Sequence, residues 1–313
     1  MIEIHGIVKR FGRVAAVDGI TFAVPRGSVC GFLGPNGAGK TTTIRIVVGV
    51  LAADAGRVTI DGREMGADGA AGAAVRRSVG FLPEESPLQP DLSVDEFLRF
   101  RADLYGVPRR ERAAAIDRAL ARCQVADVRR RLCGQLSKGY RQRVGLAGAI
   151  VHGPTAIVLD EPTSGLDPAQ VRDFRALLRE LAVDSTILLS SHVLAEVEAS
   201  CDRAVLVDRG RVVADGTLAD LRARGAAANV LLLEAERDCA AVLRTLPGVR
   251  DVRAARGEDG WWRVEVDALD AGIAEAVARA AAAERIPLRR AELRAASLED
   301  LFLRLVPRAG GAA

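Results

Sequence analysis

Apolar and polar residues alternate with a period of two at the start of the chain, through Ile2, Ile4 and Ile7 and again through Ile20, Phe22 and Val24. Gly12 and Asp18-Gly19 punctuate the run. This pattern predicts short antiparallel strands, each with one buried face. Arg57–Gly62 predicts another short strand and turn. Val29 to Leu33, Ala156 to Leu159 and Ile187 to Leu189 are apolar without alternation. Such runs predict strands covered on both faces, as in a parallel sheet. Ser78–Leu82 predicts one more, ending at Pro83. From Ser93 to about Val151 the spacing becomes helical. Ser93 and Glu96 have capping-box spacing ahead of a helix Val94–Tyr105. Pro108 predicts the start of a second helix reaching Cys123, and a third runs from about Lys138 to Ile150, with Ser137 as its N-cap. Further on, Ala169–Leu181 predicts a helix, and Arg203–Asp208 with Arg211–Ala214 a hairpin. Residues 66–74, rich in Gly and Ala, predict a flexible surface loop.

The pattern restarts after Gly225–Ala228, which reads as a linker. Asn229–Glu236, Val249–Ala255, Trp261–Val266 and Leu288–Leu293 predict strands. Asp238–Leu246 and Ile273–Ala283 predict helices between them, and Ser297–Leu305 predicts a last helix. The order β-α-β-β-α-β suggests a small ferredoxin-like α+β unit. It carries no catalytic constellation, and Trp261 and Trp262 read as one core and one surface aromatic. The expected organisation is an α/β domain over residues 1–225, with a helical subdomain at about 91–152. An accessory α+β domain at 229–306 and a disordered tail at 307–313 complete it.

Composition changes this picture little. No apolar run reaches the ~18–20 residues that span a bilayer. Met1-Ile2-Glu3-Ile4-His5 reads as strand rather than as a secretory leader, so a cytoplasmic location is expected. The five cysteines are dispersed, with no C-x-x-C spacing, which argues for reduced thiols and against a zinc site. A net charge of +3 gives no reason to expect nucleic-acid binding. Lysine occurs only at Lys9, Lys40 and Lys138 in a chain whose other basic residues are arginine.

Lys40 lies in Gly34-Pro35-Asn36-Gly37-Ala38-Gly39-Lys40-Thr41, which fits G-x-x-x-x-G-K-[ST]. A buried strand precedes it and an apolar helix containing Thr42 follows, the context a phosphate cradle requires. Glycines permit positive φ, so the N–H groups of Gly34, Gly37 and Gly39 can curl around an anion. The next helix points its positive end there. Lys40 adds a mobile cation and Thr41 a hydroxyl for Mg²⁺. Asp160 and Glu161 end a core strand, where ligands bind in open α/β sheets. Asp160 is placed to hold Mg²⁺, and Glu161 to orient or deprotonate an attacking water. Ser191-His192 ends another core strand, which places His192 to touch a γ-phosphate. At Ser137, a plain helix cap and an anion contact are both open readings. Phe11 is either a core aromatic or a stacking surface for a base.

With these motifs in this order, residues 2–222 resemble the ATP-binding subunit of ABC transporters, of the prokaryotic drug and natural-product exporter type. The resemblance implies a P-loop ATPase fold with a mixed sheet core, an antiparallel β subdomain and a helical subdomain. Gly34–Thr41 match the Walker A motif, Ile157–Asp160 Walker B, Glu161 the catalytic glutamate and His192 the switch histidine. Phe11 matches the adenine-stacking aromatic, Ser164–Asp167 the D-loop, and Leu136-Ser137-Lys138-Gly139-Tyr140 the signature. Lys138 and Tyr140 depart from the usual Gly and Gln, while Ser137 and Gly139 remain. Glu84 stands at the family's Mg²⁺-linking glutamine. The resemblance implies ATP with Mg²⁺ held by Thr41, Asp160 and Glu84. It also implies a head-to-tail homodimer in which Ser137 and Gly139 cover ATP on the partner, and a separate integral membrane permease on whose inner face the subunit sits. A soluble ABC-type ATPase acting on ribosomes or DNA would carry two ATPase halves or a long coiled coil, which this chain lacks. A non-hydrolysing nucleotide-gated scaffold sits poorly with intact Lys40, Asp160, Glu161 and His192.

Overall fold

The computed structural model describes residues 1–66, 69–225, 229–269, 272–294 and 298–305, and the chain divides into two compact units, Met1–Thr217 and Leu218–Ala313. In the first unit the alternating segments form β1 (Ile2–Phe11) and β2 (Val14–Val24), paired antiparallel. β3 (Val29–Leu33) follows, buried throughout, and leads through the glycine loop into α1 (Lys40–Val47). β4 (Ala55–Ile60) pairs with β1 and with β5 (Arg63–Glu64), which completes an antiparallel sheet of order β2-β1-β4-β5. Next come α2 (Gly69–Arg77) and β6 (Val79–Leu82), then three helices, α3 (Val94–Leu104), α4 (Arg112–Arg122) and α5 (Lys138–Ile150). β7 (Ala156–Asp160), α6 (Pro168–Ala182), β8 (Thr186–Ser191), α7 (Leu194–Ser200), β9 (Arg203–Asp208) and β10 (Arg211–Thr217) finish the unit. The second sheet has the order β10-β9-β3-β8-β7-β6 and is parallel except at β10.

The three unbroken apolar segments become β3, β8 and β7, interior strands of that sheet, where neither face meets water. One core joins both sheets. Ile2, Ile4, Ile20 and Val58 come from the antiparallel sheet, Phe32, Val158, Leu188 and Val205 from the mixed one, and Ile44 and Val47 from α1. Phe22 and Phe32, one from each sheet, stack with ring centres 5.3 Å apart. Because β3, β7 and β8 are parallel, their C-terminal ends lie on one edge of the sheet. Leu33 pairs with Ser191, and Asp160 with Ser190. The loops that begin at Gly34, Glu161 and His192 are therefore neighbours, although they are far apart in sequence.

α3, α4 and α5 pack on one another. Ser93 and Glu96 close the expected capping box. Arg129 reaches both Asp95 and Asp117, at 2.7 Å each, and so ties α3 to α4. Two local expectations are corrected. The stretch 66–74 contains the start of a helix, α2, rather than only a loop; its alanines favour helix and Val75 anchors it in the core. Residues 67 and 68 lie outside the described residues. Pro108 opens a turn closed by the Glu111 N–H on the Pro108 carbonyl, and α4 starts only at Arg112.

The second unit contains α8 (Leu218–Gly225), β11 (Asn229–Ala235), α9 (Ala240–Leu243), β12 (Val249–Arg256), β13 (Trp262–Ala268), α10 (Ile273–Ala283), β14 (Leu288–Arg294) and α11 (Leu298–Leu305). Its sheet runs β12-β13-β11-β14, with all neighbours antiparallel, the ferredoxin-like order. α8 packs on α11 and falls in this unit, which therefore starts at Leu218, ahead of the boundary expected near 225. α9 is shorter than the expected Asp238–Leu246: it starts only at Ala240, whose N–H the Asp238 carboxylate accepts, and it ends at Leu243. Trp262 packs against the core of this unit, whereas Trp261 lies under the Arg289 guanidinium, 4.7 Å from the ring centre. Ala226–Ala228 of the linker, Ser297 and the tail 307–313 lie outside the described residues.

His152, just beyond α5, stacks flat on Tyr105, with centroids 3.8 Å apart. Burial pushes its pKa down from 6.5 to about 4. The folded state thus favours neutral imidazole. Its contribution is complete above the unfolded value and is lost as pH falls from 6.5 towards 4, by up to about 3 kcal/mol. His152→Phe should flatten the loss of urea-unfolding midpoint between pH 7 and pH 5. Equal losses in both proteins would remove His152 as the cause.

Candidate functional site

The loop between β3 and α1 is shaped by bare backbone. Gly39, the N-cap of α1, has φ 99°, and a Cβ there would lie 2.3 Å from the Ala16 carbonyl oxygen of β2. Gly37 has φ 81° with open space beside it. Gly34 is needed for a different reason than expected. Its φ is not positive, but a Cβ would come within 2.4 Å of the Val207 carbonyl oxygen on β9. No side chain caps α1 and no acidic residue stands in its first turn, so its free N–H groups and positive dipole end stay available to an anion.

Lys40 is buried. Its ammonium donates to the Gly34 carbonyl at 2.8 Å and the Pro35 carbonyl at 3.3 Å, and lies 3.6 Å from Glu161 Oε1. The other carboxylate oxygen, Oε2, lies 2.8 Å from His192 Nδ1. One carboxylate thus joins the loop after β7 to the phosphate loop and to the end of β8. Glu161 holds φ 47°, a left-handed conformation that costs a non-glycine residue about 1–3 kcal/mol. Ser190 fixes this turn. Its hydroxyl accepts the Glu161 N–H at 2.9 Å and donates to Asp160 Oδ1 at 2.6 Å. The sequence reading did not single out Ser190; a polar pair ending an otherwise apolar strand was the available signal.

A cavity of about 400 Å³ opens here, lined by Phe11, Ala16, Asn36, Gly37, Gly39, Lys40, Thr41, Thr42, Glu84, Glu161 and His192. Phe11, 54% exposed at the end of β1, has the Lys9 ammonium over its ring, 5.9 Å from the centre. Gly34, Pro35 and Ala38 build the loop without lining the cavity. Asp160 does not line it either; it is buried on Ser190. Ser137 and Gly139 lie apart from it, at the start of α5. The Ser137 hydroxyl accepts the Tyr140 N–H at 3.4 Å, and a Cβ on Gly139 would strike the Gln170 side chain at 2.5 Å. Asp167 serves locally as the N-cap of α6, accepting from the N–H groups of Ala169 and Gln170 at 2.9 Å each. Glu84 also borders a second cavity of about 500 Å³, together with Lys138 and Ser164.

Electrostatically, the 400 Å³ cavity has a cationic floor, made by the α1 N-terminus and Lys40, and an acidic wall, made by Glu161 and Glu84. The floor suits a polyphosphate. Among the described residues, no three His, Cys, Asp or Glu side chains group closely enough to hold a metal by themselves. Thr41, Asp160 and Glu84 supply only hard oxygen donors, the set suited to a cation that shares its shell with phosphates.

Comparison with known proteins agrees with this geometry. The family model described as ABC transporter matches residues 17–164, and the one described as the C-terminal domain of DrrA1-3-like ATP-binding proteins matches residues 216–306. The daunorubicin resistance ATP-binding protein DrrA3 of Streptomyces coeruleorubidus is 38% identical, over 79% of this chain and 79% of its own. The Nod factor export ATP-binding protein I of Ralstonia nicotianae is 36% identical, over 98% of this chain and 94% of its own. A solved structure described as the ATP-binding subunit of an ABC transporter superposes with a TM-score of 0.65 at 32% identity, covering 72% of this chain and 92% of that one. The glycine cradle, the carboxylate at the end of β7 and these likenesses lead to one conclusion: the chain belongs to the ATP-binding proteins of ABC transporters.

Proposed function

We propose that this subunit hydrolyses ATP at an interface shared by two copies, and that the cycle drives export through a separate integral membrane permease. The observation that carries the proposal is Glu161, held in a strained turn between Lys40 and His192 at the wall of the phosphate cradle. Its placement supports the role of general base towards a water at the γ-phosphate. His192, bonded to the carboxylate, orients it and is within reach of the same phosphate. Asn36 to Thr42 wrap the β- and γ-phosphates with N–H groups, and Phe11 supplies a face for adenine. Incoming phosphate competes for the Lys40 ammonium, which now serves two carbonyls and Glu161.

Thr41 and Glu84, which line the cavity, would hold Mg²⁺, which neutralises phosphate charge when bound, and Asp160, buried on Ser190, would join them through water. Ser137 and Gly139 cannot complete this cavity from their own chain. The exposed position of Ser137 at the start of α5, beside Gly139, supports a head-to-tail dimer in which they cap the ATP of the partner. Among the described residues no helix is long and apolar enough to cross a membrane, which supports a permease on a second polypeptide and a peripheral place at the inner face of the membrane. The names of the relatives, daunorubicin resistance and Nod factor export, support outward transport.

Glu161→Gln is expected to keep ATP binding and lower turnover by about 10²–10⁴-fold, read as phosphate release. A rate within twofold of the wild type would take Glu161 out of the reaction. Lys40→Ala should lose ATP affinity in titration calorimetry, and Ser137→Ala should bind ATP normally as a monomer but hydrolyse it poorly. Mixing those two variants creates one intact composite site per mixed dimer, so hydrolysis should reappear. Silence of the mixture would refute the shared site.

A further inference from the structure

Two loops supply Glu161 and His192 to the cavity wall. One runs from the end of β7 through Glu161 to Asp167 at the start of α6, the other from the end of β8 through His192 into α7. They are tied at their bases. The Ser190 hydroxyl accepts the Glu161 N–H at 2.9 Å, and Glu161 Oε2 lies 2.8 Å from His192 Nδ1. A further tie lies beyond these. The Thr163 hydroxyl donates to Glu196 Oε2 at 2.5 Å, in a partly buried setting, although neither residue lines the ATP cavity. Thr163 stands two residues past Glu161, and Glu196 four past His192. Ser190, His192 and Glu196 thus meet the Glu161 loop in chain order.

The helix that carries Glu196 is a fixed platform. Val197 is wholly buried, and bare Gly31 of β3 lies opposite it: a Cβ there would come within 2.3 Å of Val197 Cγ1. At the start of α7 the Ser191 hydroxyl accepts the Val193 N–H at 3.0 Å. The Glu161 loop closes on itself instead. The Ser164 N–H bonds to the Glu161 carbonyl and the Leu166 N–H to the Thr163 carbonyl, both at 3.1 Å. Glu161 meanwhile holds φ 47°, and a strained residue keeps its place only where its surroundings over-determine it. Its carboxylate contacts, to Lys40 and His192, lie at the cavity, where a bound polyphosphate competes for both partners. The Thr163–Glu196 bond lies outside that competition.

We propose that Glu196 is a positioning residue for Glu161. Through the Thr163 hydroxyl it holds the loop after β7 on the platform of α7, so that the Glu161 carboxylate stays at the cavity wall when Lys40 and His192 turn to phosphate. The inference rests on the proposed part of Glu161 in hydrolysis, and the test separates the two.

The test is ATP hydrolysis by the full chain, with kcat and KM determined separately and ATP affinity measured by titration calorimetry. Thr163→Val and Glu196→Leu each break the bond. Each should lower kcat by about 10–10²-fold, the cost of a misplaced catalytic group, and leave KM and ATP affinity at wild-type values. Thr163→Ser and Glu196→Gln keep the donor and the acceptor and should retain the wild-type kcat. The double variant Thr163→Val/Glu196→Leu should lose no more than either single variant, because all three remove the same bond. In a Glu161→Gln chain, neither Thr163→Val nor Glu196→Leu should lower the residual rate further, because the tie acts through Glu161. Should Glu196→Leu fail to fold by circular dichroism, Thr163→Val, which trades a hydroxyl for a methyl, carries the test. A wild-type kcat in Thr163→Val would overturn the inference. So would losses that multiply in the double variant, or Thr163→Ser and Glu196→Gln as slow as their apolar counterparts. Glu161→Gln at the wild-type rate would remove Glu161 from the reaction and the positioning role with it. An inactive Glu161→Gln beside a fully active Thr163→Val would refute the Glu196 tie alone.

Discussion

A buried lysine ammonium shared between two backbone carbonyls and one carboxylate ties the first unit together at its working edge. Lys40 is almost wholly buried, so its charge is answered chiefly by protein. Gly34 O, Pro35 O and Glu161 answer it. Each of these comes with a constraint of its own. The carbonyls point inward only because the loop can pass close to β2 and β9, where Gly39 and Gly34 leave no room for a side chain. Glu161 reaches the lysine only by leaving β7 in a left-handed turn that Ser190 holds in place. Remove the lysine and a strained carboxylate and two inward carbonyls lose their reason to converge.

That arrangement has a consequence for chemistry. With both carboxylate oxygens engaged, one on Lys40 and one on His192, Glu161 is occupied before substrate arrives. A triphosphate is a stronger partner for Lys40 than a carboxylate 3.6 Å away, so binding would release Glu161 towards whatever stands at the γ-phosphate. The strain at Glu161 fits the same logic, since an outlying backbone conformation keeps the side chain at the cavity wall rather than in line with the strand. The cradle would thus link occupancy to the availability of Glu161, the proposed base, through one shared cation.

The two units solve different problems with the same alternating pattern. In the first, unbroken apolar strands sit between layers and bring loop ends to one edge. In the second, a four-stranded sheet hides one face under helices and shows a charged face to water. Ion pairs within the chain settle several of those charges, Arg253 with Asp251 and Arg290 with Glu292 along their own strands and Glu234 with Arg289 across strands. On the interior strand β13, Arg263, Glu265 and Asp267 have no ion-pair partner among the described residues.

Much of this was readable before any coordinates. Unbroken apolar runs located β3, β7 and β8, because a strand covered on both faces leaves no polar position to alternate. The capping-box spacing located α3, and the glycine-lysine loop between a strand and a helix announced its anion site. Local composition misled where two tendencies competed: Gly and Ala in 66–74 suggested a loop, but burial of Val75 favoured helix. Other features have no local signature at all. Gly34 is required by a carbonyl on β9, over 170 residues away in sequence, and Ser190 matters only because β7 and β8 are neighbours. Sequence determined which residues bear chemistry and which segments are hidden. Tertiary structure alone decided which of them meet, because proximity between distant segments depends on sheet order and register, and neither is written in any one stretch of chain.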